Sequence, residues 1–106
     1  MSGNYQDYSA SAEPPSGGQQ VVNVSCSVLV ASYSVQAQLV PIHESGVAES
    51  VLVLQLNLNP PQHQGDDREC WVETGFSGPV KLQHGNAIHQ VEIVNRQLGN
   101  LTIQVS

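Results

Sequence analysis

Nine residues, Val51 to Asn59 (VLVLQLNLN), constrain the fold more than any other stretch of this chain. Leu52, Leu54, Leu56 and Leu58 recur with period two, and between them the opposite side turns from Val to Gln and Asn. Side chains alternate across a strand, so this is one buried face and one face that becomes wet. A helix would scatter the four leucines around its circumference, and Pro60-Pro61 would cut it off at once. The segment therefore reads as a central β-strand whose leucine face needs a second layer to cover it.

The flanking sequence supplies that layer. Val22, Val24, Cys26, Val28 and Val30 share one side of a strand over Val21–Ala31, with Asn23, Ser25 and Ser27 opposite. Val35, Ala37 and Leu39 mark a second strand over Tyr33–Ile42, joined to the first as a tight hairpin or as one bent strand. After the leucine strand, short strands are expected over Cys70–Thr74 and Val80–Gln83, separated by a Gly75–Pro79 turn. Two more follow, with Val91 and Ile93 inward in Ala87–Val94 and Leu101, Ile103 and Val105 inward at the end. Turns at His84-Gly85-Asn86 and Gly99-Asn100 make the last three strands read as a meander.

About seven strands with turn chemistry between them give an all-β fold class, a small antiparallel β-sandwich of immunoglobulin-like or jelly-roll-like type. The immunoglobulin signature itself is absent, because Trp71 follows Cys70 directly instead of lying between the two cysteines. Residues 1–20 are rich in Ser, Gly, Pro, Gln and Tyr and show no periodic apolar face, so they read as a flexible N-terminal arm. The domain proper is then 21–106, and Tyr5 and Tyr8 are the arm's candidate anchors on a neighbouring subunit.

Composition narrows the function. Charged residues are 11% of the 106, and the net charge is −6 with only Arg68, Lys81 and Arg96 as cations. Too few cations exist to neutralise several phosphates, so neither nucleic acid nor an anionic membrane surface is an expected partner. No apolar run reaches the roughly 20 residues of a membrane-spanning helix, and residues 1–20 lack the basic start and apolar core of a signal peptide. The compartment is left open, a virion or other particle included. A surface built from Ser, Gln and Asn leaves strand edges with few charges to keep neighbours away, which favours life in an assembly.

Several groups of residues bear on chemistry. Asp66, Asp67 and Glu69 form the densest carboxylate group, but no EF-hand spacing is present and Arg68 sits inside it, so a solvated acidic loop is favoured over calcium. His43, His63, His84 and His89 show no zinc-motif spacing. Cys26 and Cys70 allow one disulfide closing about 45 residues, worth about 3–4 kcal/mol, or two buried thiols, and the missing secretion signal favours the thiols. No nucleophile elbow or phosphate loop exists, and only Arg68 lies near Cys70 to lower its pKa. Neither an enzyme nor a cofactor is expected. Asn23 and Asn100 begin glycosylation sequons of a kind that chance supplies in such a chain.

Trp71 is the most informative single residue. If Cys70 and Val72 face the core, Trp71 faces out, where it suits an interface or a sugar. A register shifted by one would put Trp71 inside, and a chain with so few aromatics favours that use of its only tryptophan. The expectation is a non-enzymatic structural module that self-associates or joins a larger particle as a coat, capsid-accessory or surface component. The alternative is a carbohydrate- or ligand-binding sandwich that uses Trp71.

Overall fold

The computed structural model describes residues 3–31, 35–42, 50–59, 68–82 and 85–106. Seven strands run in the order β1 (Tyr5–Ala12), β2 (Gln19–Val30), β3 (Gln36–Ile42), β4 (Val51–Asn59), β5 (Cys70–Lys81), β6 (Gln90–Val94) and β7 (Leu101–Gln104). They form two packed sheets, one ordered β1-β2-β5 and one ordered β3-β4-β6-β7. The chain is all-β, with one core between the layers.

The alternation read from the sequence is the alternation that builds this core. Val22, Val24, Cys26, Val28 and Val30 of β2 are buried, and so are Leu52, Leu54 and Leu56 of β4. Val91 and Ile93 of β6 and Leu101 and Ile103 of β7 complete the inner face of the second sheet. Val53 departs from the pattern. It is 3% exposed although it lies on the outward side of β4, and it stands outside the core cluster.

Sheet membership differs from the local reading in four places. First, residues 5–12 are not a free arm. They pair antiparallel with β2, from Tyr5 opposite Val28 to Ala12 opposite Val22. The register shifts between Gln6 and Ser9, and Asp7 takes a left-handed conformation with φ 52°. This bulge lets Tyr5 and Ala10, five residues apart, both point inward, so no period-two pattern shows in the sequence. Aspartate tolerates the left-handed region better than most residues, which makes it an acceptable pivot.

Second, β5 runs unbroken through Gly75–Pro79, where a turn is expected. Pro79 lacks a ladder donor, but β5 is an edge strand of its sheet, where that omission is tolerated. Gly75 lies opposite Ser25, and a Cβ there would sit 2.7 Å from the Val24 carbonyl oxygen. The two backbones therefore approach more closely than any side chain at 75 would permit. The expected count of seven strands is found, but with β1 added and two expected strands fused into one.

Third, consecutive strands change sheets. β2 and β3 lie in different layers, so Val21–Ala31 and Tyr33–Ile42 are neither a hairpin nor one bent strand. β5 and β6 also lie in different layers, so the last three strands are not a meander, and only β6 and β7 pair. Fourth, β4 and β6 pair in parallel, from Val51 opposite Gln90 to Gln55 opposite Val94. The path between them passes through β5 in the other sheet, and that crossover allows two strands to run side by side in one direction. The sandwich is thus not wholly antiparallel.

Cross-links bridge both sides between the layers. Ala10 of β1 pairs in parallel with Val105, and the Ser106 amide donates to the Ala10 carbonyl at 3.0 Å. On the other side, the Thr74 hydroxyl of β5 donates to the Ala37 carbonyl of β3 at 3.1 Å.

Candidate functional site

Two outward faces hold the residues able to recognise something. The first belongs to the β1-β2-β5 sheet. Inward-facing valines on β2 force Asn23 and Ser25 outward, and the register sets Ser11 beside Asn23, Asn23 beside Ser77 and Ser25 beside Gly75. The Ser77 hydroxyl donates to Asn23 Oδ1, and the Ser9 and Ser25 hydroxyls lie 3.2 Å apart. Small polar side chains and one bare glycine make the middle of this face low. Shallow depressions lie over it, one lined by Asp7, Ser25, Ser27 and Glu73 and another by Ser9, Ser11, Asn23, Gly75 and Ser77.

Trp71 sits at one end of the same face. It is 39% exposed, with Leu29 opposite it on β2, so the outward register holds and the shifted register that buries it does not. Tyr8 is 46% exposed on β1. These two are the exposed large hydrophobic residues of the described chain, and they stand on the two edge strands of one sheet.

Tyr5 does something else. It is buried, and its hydroxyl donates to the Gly99 carbonyl at 2.8 Å. Asn4 Nδ2 donates to the neighbouring Leu98 carbonyl at 3.1 Å, so the start of β1 is fastened to the β6–β7 turn. Tyr5 is thus an anchor within its own fold. Burial, with the Cys26 thiol close by, pushes the Tyr5 phenol from 10.0 up to about 12. Burial likewise pushes the Cys26 thiol from 9.0 up to about 11.

Both shifts favour the neutral form, so the folded chain keeps protons that the unfolded chain has already lost. The associated stability is complete below about pH 9 and falls as pH rises through about 11 and 12. Thermal melts followed by circular dichroism from pH 8 to 12 are expected to show that loss. Tyr5→Phe should melt lower at pH 8, having lost the bond to Gly99, but should fall less steeply above pH 10. An unchanged alkaline slope in Tyr5→Phe would remove the phenol from this account.

Cys26 and Cys70 are free thiols, the first buried and the second half-buried. Their ladder partners are Thr74 and Val30, which places them four positions apart along the β2–β5 pair, about 13 Å. A disulfide needs Cα atoms within about 7 Å, so the register excludes the bridge. Asp66 and Asp67 lie outside the described residues, as do His43, His63 and His84. Glu69 and His89 are exposed. Among the described residues no three His, Cys, Asp or Glu side chains come together as a metal site.

The second face lies on the β3-β4-β6-β7 sheet. Burial of Leu54 and Leu56 turns Gln55 and Asn57 outward, and Gln38 of β3 pairs opposite Asn57. Asn95 closes this face at the β6–β7 turn. Its Oδ1 accepts from the amides of Gln97 and Leu98, both at 2.8 Å, and its Nδ2 donates to the Leu56 carbonyl at 2.9 Å. The turn is therefore fixed against β4, and Arg96 and Gln97 project beside the outward amides. A depression of about 620 Å³ results, lined chiefly by Gln38, Gln55, Asn57, Asn59, Arg96 and Gln97. Among the described residues no carboxylate lines it. The sequence gives Arg96 no prominence beyond being one of three cations, because β3, β4 and the turn meet only in three dimensions.

The chain matches no family model, no curated protein and no solved structure.

Proposed function

We propose that this domain is a non-enzymatic structural module that self-associates or joins a larger protein assembly, as a coat, capsid-accessory or surface component would. The supporting observation is the placement of Trp71 and Tyr8, exposed on the two edge strands of one three-stranded sheet whose middle carries small polar side chains over shallow depressions. Exposed aromatics beside small neighbours are the side chains that most often dominate protein–protein contacts. The contact is assigned to this sheet and not to a mobile arm, since β1 is itself part of the sheet. Trp71 is less well placed for a sugar, because it lines neither depression described on its own face.

The test is mass in solution by light scattering over a range of concentrations. The full chain should exceed 11.4 kDa, and Trp71→Ser should return it toward that mass, with self-association at least tenfold weaker. A full chain that stays at 11.4 kDa at every concentration rules out self-association as its function. Deleting residues 1–20 is the weaker experiment, because it removes β1 from the fold as well as any contact made there.

A further inference from the structure

We infer that the amide-lined depression on the four-stranded sheet binds a carboxylate-bearing glycan, with Arg96 holding the carboxylate. This goes beyond the assembly role and uses a different face of the sandwich.

The first ground is charge. The chain has nine carboxylates and three cations, yet among the described residues Arg96 has no acidic partner. Its neighbours in the depression are neutral amides; among the described residues the carboxylates around it are Glu92, opposite Val53 and one outward position beyond Gln55, and Glu69, which lines an adjoining depression with Asn59 and Gln97. An unpaired guanidinium is a forked donor that fits a carboxylate in two parallel hydrogen bonds. A net charge of −6 works against any polyanion, so the ligand is one with few carboxylates, of which Arg96 meets one.

The second ground is the amides. Gln38, Gln55, Asn57, Asn59 and Gln97 line the depression, and their side chains have no hydrogen-bond partner in the fold among the described residues. Each amide offers donors and an acceptor together, the pairing that sugar hydroxyls satisfy. An acidic peptide offers one backbone donor and one acceptor per residue, a sparser set than the hydroxyls of a sugar ring.

The third ground is rigidity. Four hydrogen bonds hold the turn that carries Arg96: the three made by the Asn95 side chain, and the Gly99 amide to the Asn95 carbonyl at 3.0 Å. Gln38, Gln55 and Asn57 stand on paired strands. Little backbone ordering is therefore lost when a ligand binds.

The experiment is calorimetric titration of the full chain with short glycans that carry a single galacturonate, glucuronate, guluronate or sialic acid residue, each beside its methyl ester. At least one acid is expected to bind at least tenfold tighter than its ester. Arg96→Gln should abolish that preference, weakening the acid tenfold or more and leaving the ester unchanged. Asn57→Ala should weaken acid and ester alike by threefold or more. Arg96 is exposed, so the variant should keep its melting temperature.

The inference is overturned if no acid binds or if Arg96→Gln binds as the parent does. It is equally overturned if a polyglutamate peptide binds through Arg96 while the glycans do not. Arg96→Gln should leave the solution mass unchanged, and Trp71→Ser should leave glycan binding unchanged, so either proposal can fail without the other.

Discussion

Leu54→Ala is expected to lower the unfolding free energy by about 2–5 kcal/mol, the cost of removing a buried leucine from a core that relaxes only in part. Leu54 has no exposed surface, and it lies between Pro41 on β3 and Ile93 on β6, the latter also fully buried. The void therefore opens in the middle of a sheet, where partners on both sides are held by ladders and cannot move in. A domain of this size has about 5–15 kcal/mol in total, so the variant loses a large share of its stability. The melting temperature should fall by about 8–20 °C. Gln55→Ala, one residue along and outward, should change stability by no more than about 0.5 kcal/mol. Similar losses for the two variants would mean that β4 does not present its leucines to the core.

Gln20→Leu should destabilise the fold by about 1–3 kcal/mol although it replaces a polar residue with an apolar one of similar size. Gln20 is 6% exposed, and its side chain serves two segments. Its Nε2 donates to the Glu13 carbonyl at 2.9 Å, and its Oε1 accepts from the buried Ile88 amide at 2.8 Å. Leucine fills the space but leaves the Ile88 amide without an acceptor. Water can replace the lost bond at the exposed Glu13, so most of the cost lies at Ile88. Chemical denaturation of both proteins measures the difference. If Gln20→Leu is as stable as the parent, the Gln20 bridge contributes no net stability.

Gln20 also illustrates why part of this structure could not be read in advance. Nothing near it in sequence requires a polar residue, since it is the second residue of a valine-rich strand. Its role comes from Ile88, 68 residues away. Tyr5 behaves in the same way. It looks like a tail residue until Gly99 and the β6–β7 turn are brought to it. Arg96 and the amides of β3 and β4 form one depression only because Asn95 draws the turn onto the Leu56 carbonyl. Trp71 was half legible. Alternation from Cys70 and Val72 placed it outward, and only the β2–β5 register chose that placement over the shifted one.

The sequence by itself determined that the chain is all-β and which side of β2, β4, β6 and β7 is buried. Those properties depend on side-chain alternation within a few residues, so local order carries them. Tertiary structure decided which sheet each strand joins, that β4 and β6 run in parallel, that a bulged β1 belongs to the domain, and that β5 passes straight through Gly75–Pro79. Each of these depends on which distant backbone satisfies a strand's hydrogen bonds, and a backbone amide offers the same donor and acceptor whatever side chain it carries.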